Sequence, residues 1–173
     1  VLDPAARGMG AHAGDVLAVW GPAAHRLPLA ELLGSLAPLG MTFALPEAAL
    51  EDCLSLERLG GHLYGLPALT VLTALPATVH RACGRLAGIL LCAPADREPD
   101  AGEMEALCRS AKACGVRYVY ALRWLYAGAA AHAAPWQEAG EAAARELGLP
   151  WRVVCVDDGG RPPIPRELGD LLA

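Results

Sequence analysis

Five residues of this chain combine reactive side chains with positions where a site would form: His25, Cys92, Arg123, Tyr126 and His132. A histidine in a loop is the usual acid or base near neutral pH. Arg123 offers a fixed positive charge and a planar donor fork suited to a carboxylate or phosphate. Tyr126 adds an aromatic face and one hydroxyl. Cys92, at the end of an apolar run, is the one thiol placed to act as a metal ligand or nucleophile. Asp157-Asp158 close another run and could bind a cation or orient a base; with Gly159-Gly160 behind them they also read as a solvated turn. Each residue has a plainer role too. The histidines would be solvated, and Arg123 would pair with Asp157 or Asp158 across neighbouring strand ends.

The elements that position these residues are apolar runs of strand length separated by helical segments. Val116–Leu122 is rich in β-branched and aromatic residues, Pro135–Leu147 has helical composition, Gly148 supplies a helix stop, and Trp151–Val156 is a second run. Strand, helix, strand makes a βαβ crossover and implies a parallel sheet. Val16–Trp20, Met41–Leu45 and Gly88–Ala93 are three more strands. Between them, Leu29, Leu32, Leu33 and Leu36 fall at helical spacing. Glu47–Leu59 reads as a helix, and the proline-split stretch Leu66–Leu86 reads as two short helices. GGHLYG, residues 60–65, reads as a turn. Asp100 and Glu103 form a capping box ahead of Met104, Leu107, Cys108 and Ala111. The expected fold is therefore α/β, a three-layer sandwich with a five-stranded, mostly parallel sheet of Rossmann or flavodoxin type. Residues 1–14 read as an N-terminal arm or linker and 15–173 as a single α/β domain. Ligands of such sheets sit beyond the carboxyl ends of the strands. That places His25, Cys92, Arg123, Tyr126 and His132 at one edge, with His25, Arg123, Tyr126 and His132 as the ligand-binding candidates.

Composition narrows the function classes. The net charge of −5 over 173 residues argues against a nucleic-acid partner or an anionic membrane surface. Hydrophobic residues make up 54 %, enough for a sizeable core. The six cysteines, none in a CxxC pair, read as reduced thiols of a cytoplasmic protein, with Cys108 and Cys155 as small core residues. The segment GPAAHRLP after the first strand has neither the G-x-G-x-x-G nor the P-loop pattern, which disfavours a dinucleotide or P-loop reading. No G-x-S-x-G occurs, and the three serines, Ser35, Ser55 and Ser110, all fall on helical segments, so serine hydrolysis is disfavoured.

The segment from Leu91 to Gly128 resembles the 2-hydroxyacyl-CoA dehydratase and benzoyl-CoA reductase family. Cys92 with Pro94 is similar to that family's cysteine in a proline-flanked loop. Gly115-Val116 is similar to its Gly-Val strand, Leu122-Arg123-Trp124 to its Leu-Lys-Phe segment, and Gly148-Leu149-Pro150 to its Gly-Ile-Pro turn. The resemblance implies an iron–sulfur cluster. The chain departs from the family at Leu125, where a cluster cysteine is expected, and near Glu47, where another has no counterpart. One thiol cannot hold a cubane. The resemblance thus implies a cluster-free domain or accessory subunit acting with a partner subunit or in a homo-oligomer, with Cys92 as its remaining metal-ligand candidate. The alternative is a non-catalytic α/β module that binds a small acidic or acyl ligand or a protein. Whether the chain is an enzyme is left open by its residues.

Overall fold

The computed structural model describes residues 11–21, 29–67, 70–93, 98–126 and 134–158. Six parallel strands form one sheet: β1 (Val16–Trp20), β2 (Thr42–Pro46), β3 (His62–Leu66), β4 (Gly88–Ala93), β5 (Tyr118–Tyr126) and β6 (Trp151–Asp158). Their order is β3-β2-β1-β4-β5-β6. The chain winds outward from β1 to β3, crosses back, and winds the other way from β4 to β6. Leu17 therefore pairs with Phe43 on one side and Gly88 on the other.

The expected α/β parallel sheet is the observed one, with six strands in place of five. The added strand is β3, in the segment read as a turn. It is a five-residue edge strand paired only with β2, and its alternation of exposed His62 and Tyr64 with half-buried Leu63 is too short to stand out after two glycines. Other boundaries differ as well, the first helix ending at Leu33 before Leu36 and β5 starting at Tyr118 after Val116. The helix expected over Glu47–Leu59 is broken into two 3-10 turns (Glu47–Ala49 and Glu51–Cys53) and a four-residue helix, α2 (Ser55–Arg58). The fifth and sixth strands run on past Leu122 and Val156, so Arg123, Tyr126, Asp157 and Asp158 belong to strands rather than loops.

Each face of the sheet carries its own core. α1 (Leu29–Leu33) and α2 lie on one face, over Leu17, Phe43, Leu45, Leu90 and Tyr120. α3 (Leu75–Cys83), α4 (Ala101–Ala113) and α5 (Pro135–Leu147) cover the other, over Ala18, Ile89, Leu91, Val119 and Ala121. α4 buries Met104, Leu107, Cys108 and Ala111, the stripe its sequence spacing requires. α5 packs close to β6 because Gly140 has no side chain: a Cβ there would stand 2.5 Å from the Trp151 ring, while on the α4 side the Cys108 thiol reaches the Gly140 carbonyl oxygen at 3.7 Å. α5 ends at Gly148, whose φ of +65° lets its N–H cap the Arg145 carbonyl. Among the described residues no helix is long and apolar enough to cross a membrane.

Candidate functional site

The winding reverses between β1 and β4, and a cleft of about 380 Å³ opens there at the carboxyl edge of the sheet. β1 supplies its floor through Val19, Trp20 and Gly21, β2 through Pro46, and β3 through Leu66 with Pro67 and Thr70 beyond it. The far wall is the segment entering α4: Glu98, Pro99 and Glu103. Gly21 is required at this corner. A Cβ on it would collide with the carbonyl oxygen of Cys92 at the end of β4, so a side chain would push the two strand ends apart.

The wall is held by a polar brace. One Glu98 carboxylate oxygen accepts from Arg123 Nε at 2.9 Å, and the other accepts from the indole N–H of Trp136 at 2.6 Å. Gln137 Oε1 accepts from Arg123 Nη1 at 2.7 Å and from the Ala134 N–H at 3.0 Å. The brace ties β5, the start of α5 and the segment before α4 into one unit. Next to it, Asp100 and Glu103 form the capping box read from the sequence. Asp100 Oδ1 accepts the Glu103 N–H at 2.7 Å and Glu103 Oε1 accepts the Asp100 N–H at 3.2 Å. The cleft thus has apolar and proline-lined walls, an aromatic ring, a threonine hydroxyl and two carboxylates.

The residues singled out in the sequence are placed as follows. His25 and His132 lie outside the described residues, as do the loops that carry them. Tyr126 closes β5 opposite Asp158; its side chain and those of Asp157 and Cys155 are outside the description. Arg123 is 9 % exposed and engaged by Glu98 and Gln137 on the α5 side of the sheet. Cys92 pairs in register with Leu122, one position before Arg123, and its thiol faces the opposite core. Burial pushes that thiol up to about 12. Among the described residues no group of three His, Cys, Asp or Glu side chains could hold a metal. Neither Arg123 nor Cys92 lines the cleft. Sequence reasoning did not single out Trp20, Leu66, Thr70, Glu98 or Glu103 as site residues. Glu103 was legible only as a cap, and Leu66 to Thr70 follow the strand read as a turn.

The strand order and the cleft at its reversal define a Rossmann-like α/β protein. No family model and no curated protein matches the chain. Solved structures do. An enoyl-(acyl-carrier-protein) reductase from Anaplasma phagocytophilum, in complex with NAD, has a TM-score of 0.51 at 16 % identity, over 88 % of this chain and 72 % of its own. A triphenylmethane reductase from Citrobacter sp., complexed with NADP(H), has a TM-score of 0.47 at 14 % identity over 80 % of this chain. The chain spans about half of that reductase, 48 % of its length. These likenesses concern the fold.

The resemblance to the dehydratase and benzoyl-CoA reductase family does not hold: no family model matches, and the fold is similar to that of an enoyl-(acyl-carrier-protein) reductase solved in complex with NAD. The physical reason lies in what was matched. Gly115, at φ +79°, and Gly148, at φ +65°, end helices that feed the next parallel strand, and any βαβ unit needs such stops. With the family goes the iron–sulfur cluster it implied.

Proposed function

We propose that this chain is a ligand-binding Rossmann-like module that takes a nucleotide-type small molecule in the cleft at the β1–β4 reversal. One observation carries the reading. A cleft of about 380 Å³ lies at the switch point, bounded by the carboxyl ends of β1, β2 and β3, where the base and ribose of a nucleotide would rest. Its size suits a small organic ligand, for which pockets run from about 300 to 1,000 Å³.

The neighbours raise the question of a whole dinucleotide. The described residues do not build the pyrophosphate half of such a site. Of the G-x-G-x-x-G pattern only Gly21 is present, with Ala23 and Arg26 at the other two positions. α1 has five residues, and α4, which opens onto the cleft, has its N-terminus occupied by the chain's own Asp100 and Glu103. No hydride-transfer step is therefore assigned, and the module is read as binding rather than catalytic.

Thermal unfolding of the full chain with and without adenosine tests this, beside Thr70→Trp, which fills the cleft from its partly exposed rim. Adenosine is expected to raise the melting temperature of the parent chain and not of the variant. An equal rise in both would place binding elsewhere.

A further inference from the structure

Two side chains of the cleft are fixed by the fold before any ligand arrives. Resting on the reading above, we infer that they set its specificity: Trp20 takes the flat ring of a nucleobase, and the Glu98 carboxylate takes a hydrogen from the ligand's amino group or a secondary hydroxyl. Trp20 closes β1. Strand alternation sends it, with Ala18, to the face covered by α3, α4 and α5, where it is half-buried against that core. It also lines the cleft. A ring anchored in this way loses little freedom on binding and offers its face for offset stacking. Pro46, Pro67 and Pro99 line the same cleft and add stiff apolar walls around a planar group.

Glu98 stands on the far wall with its side chain 22 % exposed. A solvated glutamate would have to give up rotamer freedom to meet a ligand, at a cost of up to about 2 kcal/mol. Here folding has already ordered it: Arg123 Nε holds one oxygen at 2.9 Å and Trp136 Nε1 the other at 2.6 Å. These two bonds use two of the roughly four acceptor positions of a carboxylate, so a ligand donor is taken without breaking the brace. A hydrogen bond to an ionised acceptor is also about twice as strong as one between neutral groups. Glu103 offers a second carboxylate on the same wall. Arg123 and Trp136 do not line the cleft, so they act on the ligand through Glu98, as positioning residues.

Calorimetric titration of the full chain with three nucleosides tests the inference: adenosine, purine riboside, which lacks the amino group, and dideoxyadenosine, which lacks both secondary hydroxyls. On the parent chain at least one analogue is expected to bind about tenfold more weakly than adenosine, the size of one hydrogen bond to a charged group, and which analogue it is identifies the donor. In Glu98→Gln and in Trp136→Phe that gap is expected to shrink to about threefold or less, as a neutral or unanchored acceptor would give. Trp20→Leu is expected to weaken all three ligands alike, by about tenfold, the scale of one stacked base. Analogues that match adenosine on the parent chain overturn the inference while the cleft reading stands, and this comparison needs no variant to fold. A gap unchanged in Glu98→Gln also overturns it, because the donor is then met elsewhere, as does binding unchanged in Trp20→Leu. If none of the three binds at millimolar concentration, the cleft is not a nucleotide-type site and both readings fail.

Discussion

Replacing Glu98 by alanine strips the acceptor from two donors on different elements, Arg123 Nε of β5 and Trp136 Nε1 of α5. The side chains of Arg123 and Glu98 are 11 % and 22 % exposed, so water screens the pair weakly. Hydrogen bonds to charged groups contribute about 1.5–3 kcal/mol each, and the two share one carboxylate, so they are not independent. The loss expected for Glu98→Ala is about 3 kcal/mol, because a partly buried guanidinium loses its countercharge and a buried indole loses its acceptor. For a chain of this size that corresponds to a fall in Tm of about 6–12 °C. Glu98→Gln, whose amide keeps one oxygen acceptor and cannot receive both donors, is expected to fall between the two. Differential scanning fluorimetry and urea unfolding read both variants. A double-mutant cycle with Arg123→Ala is expected to return a coupling of about 2 kcal/mol. A Glu98→Ala chain that melts within about 2 °C of its parent would refute the claim that this brace fixes the cleft wall.

The other predictions concern the two cores. Burial raises Cys53 and Cys108 to about 11 and Cys92 and Tyr120 to about 12, and pushes Tyr118 up as well. The native chain then holds protons that the unfolded chain releases. This stability is fully present below about pH 9 and is lost as pH rises through the folded values, at up to about 1.4 kcal/mol per pH unit for each group. The urea midpoint should fall steadily above that pH, and a midpoint flat to pH 11 would contradict the assigned burial. Among the described residues the buried Tyr120 hydroxyl has no hydrogen-bond partner, so Tyr120→Phe should raise stability, by about 1 kcal/mol. A loss of that size would mean that the hydroxyl is bonded in solution. A Cβ on Gly88 would collide with the Tyr118 ring, so Gly88→Ala should cost about 1–3 kcal/mol, and less when Tyr118 is replaced by leucine. An equal cost in both backgrounds would show that the ring is not the obstacle.

Much of the architecture is legible in the sequence because buried parallel strands are continuous apolar runs, and VLAVW and GILLCA are such runs. The edge strand His62–Leu66 is not, since half of it faces water. The overrun of β5 and β6 is hidden for another reason. Arg123 looks like the end of an apolar run, yet the backbone continues pairing through Trp124 and Tyr126 to Val156 and Asp158. The carboxyl-edge rule indicates the edge at which the cleft lies and loops that border it, including those that begin at Gly21 and Pro46 and end at Pro99. It cannot say which side chains turn into the cleft. Glu98 reads as an anonymous loop residue until Arg123 and Trp136 are seen to converge on it, and Leu66 to Thr70 depend on recognising β3.

The claim that the β1–β4 reversal is a ligand site is tested most directly by a crystal structure of the full chain grown with adenosine. The account predicts density for the base and ribose between Trp20, Leu66, Thr70 and Glu103, with at least one ribose hydroxyl or base amino group within hydrogen-bond distance of the Glu103 carboxylate. Adenosine that binds in solution yet lies elsewhere in the crystal, with this cleft filled only by water, would contradict it.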